Sequence, residues 1–166
     1  RTWSAYMEED SQSMTKLRKL VRTRRDFEAA IQLALELHAS THSGEVSGSA
    51  VPTYFDQLIN GLQPGDFRVM PTEKDETIAW QVWHIARIED LGANLLIAES
   101  PQVFTGAWAK KLGGPVKDTG NAMTDAEIMA FSKQVDVEAL LGYWSAVGRR
   151  TREVIKALAP ADMKRK

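Results

Sequence analysis

Three histidines, His38, His42 and His84, are the side chains best suited to chemistry in a chain that contains no cysteine. His38 and His42 stand four residues apart, so on a helix both imidazoles reach one point beside the same face. Phe27, Ile31, Leu35, His38 and His42 follow a +4, +4, +3, +4 spacing, one face of a 3.6-residue helix. Trp80, His84, Ile88, Leu91 and Leu95 repeat it. Three neutral imidazoles converging from two helices would hold a first-row divalent ion, zinc or nickel, with a position left open for water or substrate. The plainer alternative makes each histidine a hydrogen-bonded core residue, with His42 at a helix end answering the C-terminal dipole. The residues alone leave both readings standing.

The carboxylates are weighed separately. Glu89 and Asp90 lie about 140 and 240 degrees around the helix from His84 at about 100 degrees per residue, which turns them away from its line. Arg87 and Asp90, at i, i+3, are expected to pair with each other. Asp56 and Glu45 fall on or near loops, and nothing in the sequence fixes their geometry. Tyr143 and Trp144 read as core or core edge. There is no Gly-rich phosphate loop, no Ser/His/Asp signature and no H-E-x-x-H motif.

The elements that must position these residues are helical. Asp75 to Ser100 reads as one long central helix, with Ile78, Val82 and Ile85 extending its apolar surface to a second side. A helix through His42 ends at Ser43-Gly44, with Gly44 as C-cap. A short helix spans Thr53 to Asn60, and a weak one spans Gln102 to Leu112. Gly113-Gly114-Pro115 is a hard stop. Thr124 and Glu127 form a capping box, and Asp136 caps a last long helix running to Leu158. No period-two strand pattern persists. That gives three long helices where a bundle wants four. Residues 1–25 supply the fourth, or it lies beyond Lys166, or a partner chain contributes it.

The chain has 166 residues, 43% hydrophobic and 26% charged, which suits one globular domain over 1–166. A net charge of -1 argues against nucleic acid and against an anionic membrane. The basic run Lys16 to Arg25 reads as a solvated helix face, since few aromatics are interleaved. No apolar run reaches the roughly 18 residues of a membrane span. A cytoplasmic location is the default expectation. The abrupt ends, Arg1-Thr2-Trp3 and Lys164-Arg165-Lys166, suggest a longer encoded protein, truncated here at its C-terminus.

The central segment TIAWQVWHIARIEDLGANLLIA resembles the signature helix of the DinB-like/YfiT-like superfamily of bacterial four-helix bundles. LELHASTHSGE, YFDQLINGLQPGDFRVMP, KDTGNAMTDAEI and YWSAVGRRTREVI are similar to one branch of it, in a consistent order, so the resemblance covers about residues 27–158. The resemblance implies an all-α four-helix bundle of the up-down type with short connecting helices, often a homodimer. It implies that the histidine of W-H-x-x-x-x-E/D, here His84, is a metal ligand. It also implies an activity: relatives include metal-dependent enzymes that use a low-molecular-weight thiol, and many members have no known activity. The superfamily's name reflects a DNA-damage label and implies no DNA binding. The family's other two ligands usually form H-x-x-x-H on the last helix, but Val137 to Leu158 contains no histidine. Either the chain stops before that helix, or His38 and His42 take over the role.

The leading expectation is therefore a divalent-metal-dependent enzyme, a thiol-dependent transferase or hydrolase, with zinc or nickel on His84, His42 and His38. Any thiol must come from outside, since the chain has none. The rival is a non-catalytic bundle that acts by dimerising or by binding a small ligand.

Overall fold

The computed structural model describes residues 3–73, 75–113 and 118–164, with side chains from residue 8 to 163; Gly114 and Pro115 of the expected stop, and both chain ends, lie outside the described residues. Every regular element among the described residues is helical. Four segments are long: α1 (Trp3–Leu20), α2 (Phe27–Thr41), α5 (Ile78–Asp90) with its continuation Leu91–Ile97, and α8 (Val137–Ala157). Short helices connect them: α3 (Gly44–Ser47), α4 (Tyr54–Ile59), α6 (Gly106–Leu112) and α7 (Asp125–Gln134).

The fourth long helix thus comes from residues 3–20. It packs along α2, and none of its described side chains is buried. Lys16, Arg18 and Lys19 on it are exposed, the solvated face expected of that run.

Side-chain signals set most element starts. The Thr53 hydroxyl accepts the Asp56 amide and the Asp56 carboxylate accepts the Thr53 amide, a capping box that opens α4. Thr124 and Glu127 do the same for α7. Thr77 caps α5 and Asp136 caps α8. The end of α2 departs from expectation, because Gly44 does not cap it. The helix stops at Thr41, His42 turns to extended backbone (φ -89, ψ 173), and Gly44 opens α3.

Pairings across the interior give the directions. Leu35, His42 and Ser43 meet Arg152, Gly148 and Ser145, so α2 runs antiparallel to α8. Asp90 and Asn94 meet Tyr143 and Arg150, so α5 and α8 run in the same sense. The long connection through α6 and α7 carries the chain back to make that possible.

The core lies between α5, α7 and α8, around Trp83, Phe131, Leu140, Tyr143 and Val147. On α5 the buried residues are Ala79, Trp80, Val82, Trp83, Ala86, Arg87 and Asp90. The line read as inward from the sequence lies to one side: Trp80 is buried and His84 half-buried, but Ile88 and Leu95 are 48% and 43% exposed. Small Ala79 and Ala86 are fully buried on the core side of α5, which leaves the isoleucines on the outer side of the helix.

At Asp90 the helix widens. Leu91–Ile97 is π-helical, with Ala98 N–H donating to the Ala93 carbonyl at 3.0 Å. A buried polar network braces it. Asp90, fully buried, accepts from Arg87 at 3.1 Å, Tyr143 at 2.7 Å, Asn94 at 2.8 Å and the amides of Val103 and Phe104 at 2.8 and 2.9 Å. Arg87 also lies over the Phe104 ring. The i, i+3 pair expected from the sequence is therefore the hub that fixes the 98–104 connection. A buried carboxylate persists only when its oxygens are satisfied in this way.

Candidate metal centre

His38 and His42 meet Glu89, not His84. His38 Nε2 lies 3.1 Å from Glu89 Oε1 and His42 Nε2 lies 3.6 Å from Glu89 Oε2. One ligand atom from each of the three residues falls within 4.8 Å of the others. Donors at about 2.1 Å from one tetrahedral ion would stand roughly 3.4 Å apart; the two histidine–glutamate distances match this, and the three donors, within 4.8 Å of one another, would draw in to share an ion. Two imidazole nitrogens and a carboxylate oxygen also suit zinc or nickel.

Each side chain is placed by its element. His38 sits in the last turn of α2, on the line Phe27–Ile31–Leu35. His42 leaves the helix, and its ring is inserted between its neighbours: 4.9 Å from the His38 ring, 4.3 Å from Trp144. Trp144 stacks in turn on Phe55 at 4.5 Å. Gly148 makes the insertion possible. A Cβ there would overlap the His42 ring, reaching Nδ1 at 2.7 Å. Glu89 comes from α5, on the side of the helix away from His84.

Electrostatics follow from burial. Burial pushes His42 down to about 4, because the interior disfavours imidazolium; Glu89 opposes this, while His38, Arg152 and Arg149 add to it. Burial would push Glu89 up, but hydrogen bonding from His38 and the proximity of Thr151 and both imidazoles hold it below the usual carboxylate range. The Ser43 amide donates to His42 Nδ1 at 3.0 Å. A neutral imidazole carries one proton, so that of His42 sits on Nε2, which is buried without a hydrogen-bond partner and faces Glu89. His38 Nδ1 is likewise buried and unpartnered. Buried imidazole nitrogens without a hydrogen-bond partner beside a carboxylate fit a site that takes a cation.

His84 has different company. Its Nδ1–H donates to the Thr119 carbonyl at 2.7 Å and its ring stacks on Trp80 at 4.5 Å. Gly120, with φ +79, brings the loop against Trp80: a Cβ there would stand 2.8 Å from the indole nitrogen. The structure therefore does not bring His84 to His38 and His42. The residue missed by sequence reasoning is Glu89, five positions on from His84. Five residues rotate it about 140 degrees, onto the side that faces α2.

The other carboxylates have structural employment. Asp56 accepts the Gly44 amide at 3.0 Å as well as capping α4, tying the α2–α3 corner to α4. Glu45 pairs with Arg149 at 2.6 Å on the surface.

The fold and the cluster define an all-α bundle with a candidate His–His–Glu metal centre. The chain belongs to the DinB superfamily, whose family model matches residues 49–166. Glu89 and His84 fall inside that match; His38 and His42 precede it. No curated protein matches the chain. No helix among the described residues is long and apolar enough to cross a membrane.

Proposed function

We propose that the chain is a divalent-metal protein of the DinB superfamily, a thiol-dependent transferase or hydrolase whose ion, zinc or nickel, is held by His38, His42 and Glu89. The observation that carries the reading is the convergence of these three donors around the unpartnered His42 Nε2. A bound divalent ion supplies Lewis acidity, lowering the pKa of a thiol or water placed beside it.

The chain's own residues do the rest. Gly148 and Trp144 hold the His42 ring in place. Burial keeps His42 unprotonated far into acid, so a proton does not compete for it near neutrality. Holding an ion through Nε2 would require the His42 proton on Nδ1, where it would face the Ser43 amide and leave that buried donor unpaired, a cost of about 1–3 kcal/mol. With no cysteine in the chain, the thiol is a low-molecular-weight cosubstrate.

One observation favours the rival, non-catalytic reading: metal-free, Glu89 already faces both imidazoles and forms a self-contained cluster. Cobalt(II) substitution separates the two. Cobalt-loaded protein titrated with glutathione or cysteine is expected to show a thiolate charge-transfer band and a shifted visible spectrum. A cobalt spectrum indifferent to both thiols contradicts the thiol-dependent reading while leaving the metal site intact.

A further inference from the structure

α4 and α5 leave a groove of about 270 Å³ between them. Its floor is Phe55, Val82 and Trp144, all buried, and its lips are Leu58, Ile78 and Ile85. Leu58 is 59% exposed and Ile85 46%, so apolar surface faces water on both sides of an apolar trough. Gln81 donates to Glu76, and the two add a polar pair to the lining.

Two features join this groove to the metal centre. Trp144 is shared: one neighbour of its ring is Phe55 on the groove floor and the other is His42. Gln81, Ile85 and Glu89 follow at i, i+4, i+8 along α5, so Glu89 lies one helical turn beyond Ile85, the last α5 residue lining the groove. The charge at that end also matters. Arg149 and Arg152 both act on His42. Arg149 is offset by its Glu45 partner, so with a divalent ion offsetting Glu89 it is Arg152 that adds positive charge at that end. The volume lies just below the roughly 300–1,000 Å³ of small-molecule pockets, which suits a compact hydrocarbon or aryl body.

We infer that the groove is the subsite for the apolar body of a small amphiphilic substrate, whose carboxylate or thiolate head lies toward the His42–Glu89 end. The head assignment rests on the metal-centre reading; the body assignment rests on the groove itself.

The test is calorimetric titration of zinc-loaded and chelator-treated protein with decanoate and with decanol, repeated on Leu58→Glu and Ile85→Glu. Both substitutions sit on exposed lips, and circular dichroism checks the fold. On zinc-loaded protein decanoate is expected to bind about tenfold or more tighter than decanol, a preference that disappears without zinc. Each variant is expected to weaken both ligands about tenfold, while zinc stoichiometry stays unchanged. Failure of both ligands to bind, or binding indifferent to both variants, overturns the proposal. So does sedimentation showing a dimer that Ile85→Glu dissociates together with absent decanoate binding, since a second copy then fills the groove. Groove-dependent decanol binding in a protein that takes up no zinc supports the body assignment and overturns the head assignment through the metal reading alone.

Discussion

His42 is the residue on which the site turns, and its setting makes two predictions. In the metal-free protein its pKa is about 4 folded against 6.5 for the free imidazole. Between those values the unfolded chain holds a proton that the folded chain does not. Stability is therefore full above about pH 6.5 and falls as the pH drops toward 4, by about 3 kcal/mol in total. Glu89 acts in the same direction further into acid, since its lowered pKa contributes stability that is lost as it protonates. Urea unfolding at pH 7.5 and 4.5 should show this loss, and His42→Asn should remove most of it; equal stability at the two pH values would contradict the burial argument. The second prediction concerns Gly148. Its missing Cβ is the space that the His42 ring occupies, so Gly148→Ala should displace the ring, costing about 1–3 kcal/mol. It should also abolish zinc uptake in protein that remains helical by circular dichroism. Full zinc uptake by that variant would show that the ring has somewhere else to go.

The helix α5 shows why the sequence revealed the elements better than the site. Capping signals at Thr124 and Asp136 act locally, so their helices start where the residues say. The direction α5 faces is a tertiary matter. Apolar residues ring it almost completely, and Trp80–His84–Ile88 is as good a stripe by spacing as Ala79–Trp83–Ala86. Packing into the core selects the Ala79–Trp83–Ala86 line. That choice carries His84 toward Thr119 and Glu89 toward α2. The histidine pair was legible because His38 and His42 lie in one short local stretch, the last turn of α2 and its C-cap, even though His42 leaves the helix. Its carboxylate partner was not, because it depended on how two helices are turned. The same helix carries Asp90, whose partners tie α5, α8 and the 98–104 connection together. Asp90→Asn would leave Arg87 buried without its counter-charge, a loss of about 3–5 kcal/mol measurable by denaturant unfolding. A change within about 0.5 kcal/mol would mean that the network contributes little beyond packing.

At the scale of the whole molecule, membership of the DinB superfamily and the all-helical bundle agree, and both were visible in the order of quoted segments along the chain. The fourth long helix, one of three alternatives from sequence, is supplied by residues 3–20. At its α2–α5–α8 junction the bundle brings together His38, His42 and Glu89, a cluster that could hold a metal ion; the central proposal is that this cluster is the metal site and that His84 lies outside it. Elemental analysis of tag-free protein after zinc loading and desalting, for wild type, Glu89→Gln and His84→Ala, tests this most directly. The account predicts near one zinc per chain in wild type and in His84→Ala, and less than about a tenth of that in Glu89→Gln, since loss of a ligand carboxylate costs at least as much as the 10–100-fold typical of its supporting shell. Zinc retained by Glu89→Gln and lost from His84→Ala, or no zinc in wild type at all, would contradict it.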